Sequence, residues 1–134
     1  MYAVEVRDHI MIAHSLPRPL FGPAQNLHGA TYVVDAAFMR PDLTEDEVVL
    51  DIGRATSVLR EVLEPLNYQN LDRMPHLKGR ITTTEFLCRL IFNAVVERLR
   101  AGAFGPGSEG VERVRITLQE THLARAWYEG DVSP

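Results

Sequence analysis

Between Tyr2 and His14 apolar side chains recur at every second position: Tyr2, Val4, Val6, Ile10 and Ile12, with Asp8 as the only break and His14 closing the row. That alternation is the period of a strand with one face on a core. A second strand is predicted from His28 to Arg40, where Tyr32, Val34, Ala36 and Phe38 share one face with His28 and Ala30. Thr31, Val33, Asp35, Ala37 and Met39 form the opposite, more mixed face. Pro17, Pro19, Gly22 and Pro23 lie between the two strands and predict an irregular loop over 15–27.

The period then changes. Ile52, Ala55, Val58, Leu59, Val62, Leu63 and Leu66 follow helical spacing, which ends near Pro65. Residues 67–80 lack a clean period and contain Pro75 and Gly79, as expected of a connecting loop long enough to carry function. Thr82 and Glu85 have the spacing of a capping box, and Leu87, Leu90, Ile91, Ala94, Val95 and Leu99 continue as the buried stripe of a second helix that Gly102 ends. Alternation returns from Val111 to His122, with Val114, Ile116, Leu118, Glu120 and His122 on one face, and a last strand spans about 124–130. The predicted order is ββααββ: an α+β domain with a four-stranded antiparallel sheet and two helices covering one face.

With 134 residues, 46% hydrophobic and 24% charged, the chain has the size and balance of a single domain over 1–134 with a real core. A net charge of -4, with the 14 basic residues scattered, creates no field to draw in nucleic acid or an anionic membrane, so neither is expected as a partner. No segment approaches the roughly 20 consecutive apolar residues of a membrane helix. The single cysteine, Cys88, excludes an internal disulfide. The N-terminus lacks the basic run, apolar stretch and cleavage site of a secretory leader, so a cytoplasmic protein is expected.

Three of the five histidines, His14, His28 and His122, fall at strand ends on the apolar faces, and Glu120 joins them. If the strands pair as an antiparallel meander, these four side chains meet at one end of the sheet. Imidazole is the commonest zinc ligand, and a catalytic zinc takes about three protein ligands with a fourth position open. The plainer reading of each histidine is a hydrogen-bonded residue at a strand end. Glu120 has two readings as well: a carboxylate in an apolar row is costly unless paired, which marks a site, or it escapes to solvent at the strand end. Thr82, Thr83 and Thr84 have the ordinary explanation of a helix start, and Cys88 that of a buried, inert thiol. No Gly-rich phosphate loop, GxSxG elbow or CxxC is present.

Six segments in order resemble successive signatures of the 6-pyruvoyltetrahydropterin and 6-carboxytetrahydropterin synthases. They are Ile12-Ala13-His14, His28-Gly29-Ala30-Thr31-Tyr32, Val49-Leu50-Asp51, Pro65 to Asp72, Thr82-Thr83-Thr84-Glu85 and Gln119-Glu120-Thr121. The resemblance implies the tunnelling fold, whose sheets close into a barrel of three subunits, often stacked as a hexamer. It also implies a small heterocyclic substrate and a zinc site. His14 and His28 match two zinc ligands, Glu120 the pterin anchor, and Thr83 and Thr84 residues lining the pterin pocket. The departures are as specific. Ala30 stands where the third zinc ligand is expected, Asn67-Tyr68 replace the Asp-His pair of the proton relay, and the loop before His28 lacks the family's cysteine. His122, on the face of Glu120, is the candidate for a replacement zinc ligand or acid-base group, and Tyr68 for a replacement proton donor. The resulting expectation is a divergent lyase or rearrangement enzyme acting on a pterin, or else a binding or assembly protein of the same fold without turnover.

Overall fold

In a computed structural model describing residues 1–134, β1 (Tyr2–His14) and β2 (His28–Arg40) pair antiparallel along their full length. Helix α1 (Ile52–Leu63), a two-residue strand β3 (Gln69–Asn70), helix α2 (Thr84–Arg100), β4 (Arg113–Thr121) and β5 (Ala124–Asp131) follow. The expected sheet of four antiparallel strands in ββααββ order is therefore corrected. It is a five-stranded mixed sheet in spatial order β3-β1-β2-β4-β5, and β3 pairs parallel to β1 at Ile12 and Ala13. Two residues in a loop carry no readable period, which is why the pattern of side chains missed this strand.

The even-numbered rows make the core. Val6, Ile10 and Ile12 of β1, Tyr32, Val34, Ala36 and Phe38 of β2, and Val114, Ile116 and Leu118 of β4 are all buried. Against them α1 lays Ala55, Val58, Leu59 and Leu63, and α2 lays Leu87, Cys88, Ile91, Phe92, Val95, Val96 and Leu99. Asp8, the break in the first row, is held at the helix side by Arg60 of α1, 3.3 Å away. On the opposite face Arg7 donates to both oxygens of Asp35, at 2.7 and 3.0 Å, so the odd rows carry charge where the even rows carry hydrocarbon.

Both helices start on a side chain that accepts an orphan amide. Asp51 accepts from the Arg54 amide, and Thr83, not Thr82, accepts from the Phe86 amide. This one-residue correction frees the Thr82 hydroxyl for another partner. β4 is also shorter than the Val111 to His122 expected: Ser108–Gly110 form a 3-10 turn, and His122 lies in the turn between β4 and β5. No helix is long and apolar enough to cross a membrane.

Candidate functional site

The loop from 15 to 27 leaves the sheet at His14 and returns at His28, and the antiparallel register sets these two residues opposite each other as the last pair of the β1·β2 ladder. Because both belong to the even rows, their rings meet on the helix-covered face. The centroids are 4.7 Å apart, with the planes inclined by 61°. His28 places Nδ1 2.8 Å from the Asn26 carbonyl. A carbonyl only accepts, so Nδ1 carries the proton and the lone pair of the neutral ring lies on Nε2.

His14 is buried, with Nδ1 3.0 Å from the Thr82 hydroxyl and Nε2 without a partner. Burial first, then the neighbouring His28, push its pKa below the ordinary imidazole value, while Thr82, Asp72 and Glu120 pull it back up. Burial thus disfavours the charged form of His14. The sequence offers Thr82 as a helix cap and gives no sign that Thr82 or Asp72 stands beside His14. Asp72 accepts from the Ser15 amide at 3.2 Å and the Ser15 hydroxyl at 2.6 Å, which ties the loop after β3 to the end of β1. A Ser directly after His14 and an Asp in a loop give no pattern from which that contact could be read.

Glu120 sits at an irregularity of β4. The pairing with β5 shifts between Gln119 and Thr121, so Glu120 is the extra residue of a bulge, a feature that re-aims side chains beside functional sites. Its carboxylate is exposed, yet its charge bears on both His14 and Tyr32, which places it at the histidine end of the sheet. Burial raises the Tyr32 phenol pKa, with the Thr84 hydroxyl acting in the other direction. The three threonines therefore divide their work: Thr82 faces His14, Thr83 caps α2, and Thr84 meets Tyr32.

The remaining expected residues stand apart. Tyr68 is 77% exposed at φ +59°, and its amide donates to the Met11 carbonyl at 2.7 Å. Asn67 accepts from the Met11 amide at 2.9 Å, so this pair clamps the edge of β1 three residues before His14. His122 is exposed in the β4–β5 turn. No three His, Cys, Asp or Glu side chains converge as a metal-holding group, so His122 is not gathered with His14 and His28. Zinc spans two imidazoles at Zn–N distances of about 2.0–2.1 Å, which puts their centroids roughly 5 Å apart. The observed pair comes close to that spacing, but the third position on its face is Ala30, paired with Ile12, which offers a metal nothing. The donor set of this chain does not fit a three-ligand zinc site.

A cleft of about 780 Å³ between residues 44–54 and 104–107 is lined by none of these residues. A smaller one of about 330 Å³ touches the site through Ser15, Asp72 and Thr82.

A helix-covered sheet with two histidines, a bulged glutamate and the threonine-rich start of a helix at one end defines an α+β protein with a polar site at the end of its sheet. The family model of 6-pyruvoyl tetrahydropterin synthase matches residues 3–131. The chain belongs to the 6-pyruvoyl tetrahydropterin synthase family. It is similar to the 6-pyruvoyl tetrahydrobiopterin synthase of Dictyostelium discoideum, 28% identical over 85 residues, a match that spans 62% of this chain and 63% of that relative's length. Among solved structures it resembles the Caenorhabditis elegans 6-pyruvoyl tetrahydropterin synthase, with TM-score 0.78, 21% identity, and 96% and 95% of the two chains covered. It also resembles the Plasmodium falciparum enzyme of that name, with TM-score 0.73, 16% identity, and coverage of 96% and 98%.

Proposed function

We propose that this protein binds a pterin or similar bicyclic heterocycle at the His14 end of its sheet and acts on its side chain as a lyase or rearrangement enzyme. One observation carries the reading: the bulge at Glu120 holds a carboxylate at the end of the sheet where His14, Tyr32 and the start of α2 meet. A carboxylate there accepts from the ring N–H and amino group of a pterin as a charge-assisted pair, and Thr83 and Thr84 line the same end. Within one copy His122 and Tyr68 stand apart from His14, so they would act only where a neighbouring copy brings them to the bound ring. There His122 would take the proton from the carbon beside the one that bears the oxygen, the freed electron pair would form a carbon-carbon double bond, and the leaving oxygen would depart with the C–O pair, protonated by Tyr68.

In this reading copies assemble edge to edge into a closed barrel, trimeric or hexameric; the free edge of β5 and a β1 edge that β3 covers over only two residues support association. The test is titration with a fluorescent pterin, followed by product analysis. Glu120→Gln should weaken binding about tenfold or more, whereas His122→Ala and Tyr68→Phe should lower turnover and leave binding in place. Equal pterin affinity of wild type and Glu120→Gln would sink the reading.

A second reading is supported by Asn67 and Tyr68. The Asn67 amide is committed to the backbone of β1 and the Tyr68 side chain faces solvent, as suits a heterocycle-binding protein without turnover. Binding without product from any pterin substrate tried would favour it.

A further inference from the structure

The histidine pair has an incomplete donor set in a well-ordered setting. Each ring is anchored through Nδ1, His28 on the Asn26 carbonyl and His14 on Thr82, while neither Nε2 has a protein partner. His14 is buried, and His28 is half-buried and so the more accessible member of the pair. Two residues along the same face of β2, where another imidazole would complete a three-ligand set, the chain has only the methyl of Ala30. Two imidazoles leave a metal with half or more of its coordination to be found elsewhere, and no third His, Cys, Asp or Glu converges on them. A bare imidazole nitrogen beside a ligand site is, however, a strong acceptor for an O–H group.

We propose that this chain holds no resident zinc and that His28 Nε2 instead accepts a hydrogen bond directly from a hydroxyl on the side chain of the bound heterocycle, with His14 and Thr82 supporting the ring from behind. This rests on the heterocycle-binding reading above.

The test has two arms on the full-length protein. In the first, zinc is titrated against a chromogenic chelator into wild type and Ala30→His. The variant supplies a third imidazole at a half-exposed position and should bind zinc about a hundredfold more tightly than wild type. Tight, near-stoichiometric zinc in wild type, with no gain in Ala30→His, would overturn the proposal.

In the second, 6-hydroxymethylpterin and 6-methylpterin, which differ by one hydroxyl, are titrated with and without EDTA. Wild type should prefer the hydroxylated ligand by up to about tenfold, unchanged by chelator, and His28→Ala should lose the preference while still binding 6-methylpterin. A preference that EDTA abolishes, or none at all, would overturn it. If neither pterin binds, the pterin reading itself falls, and the zinc titration still decides whether the pair is metal-free.

Discussion

Replacing Thr82 with valine keeps the shape of a buried side chain and removes one oxygen. That oxygen is the only side-chain partner of a ring which already has one unpartnered nitrogen: His14 Nδ1 lies 3.0 Å from it, and Nε2 has nothing. Thr82→Val should therefore strip a buried imidazole of its side-chain hydrogen bond, at a cost of about 1–3 kcal/mol. For a chain of this length the unfolding entropy is roughly 0.3 kcal/mol per kelvin, so a loss of about 2 kcal/mol lowers Tm by about 7 °C. Urea titration and thermal melts followed by circular dichroism read this directly. Thr82→Ser should recover most of the loss, because it restores the hydroxyl. In a His14→Leu background Thr82→Val should cost about 0.5 kcal/mol or less, the partner having gone. The helix cap is not involved, since Thr83 supplies it. A Tm for Thr82→Val within about 2 °C of wild type would refute the argument that this hydroxyl holds the ring.

Burial pushes the Cys88 thiol up from 9.0 to about 11, so the folded protein keeps its proton where the unfolded chain has lost it. Stability should be fully present below pH 9 and fall as pH rises from 9 through 11, by on the order of 2 kcal/mol. Cys88→Ala should abolish that slope, and iodoacetamide at pH 8 should label Cys88 only after denaturation. Gly110→Ala should destabilise by about 1–3 kcal/mol, because the new Cβ collides with the Arg40 guanidinium that donates to the Val49 and Gly107 carbonyls; chemical denaturation checks it. Tyr68→Gly should raise stability by about 1 kcal/mol, since an exposed tyrosine at φ +59° is strained and glycine is not; an unchanged denaturation midpoint would contradict this.

The alternation of Val4 to Ile12, Tyr32 to Phe38 and Val114 to Leu118 determined the long strands and which face they bury, because a period of two leaves only one way to hide such rows. The helical stripes determined α1 and α2 in the same way. The same parity placed His14 and His28 on the core side before any register was known. What the rows do not contain is the register that sets His14 opposite His28, because that depends on how the loop over 15–27 closes.

Nor do they contain the bulge at Glu120, the end of β4 before His122 or the parallel pairing of Gln69 and Asn70. Each of these is a departure from periodicity, and a departure is visible only against the partner strand that it is measured from. Thr82 shows the limit at a single residue. Its neighbours make all three threonines plausible caps, and only packing against the end of β1 decided that Thr83 serves the helix while Thr82 holds the buried histidine.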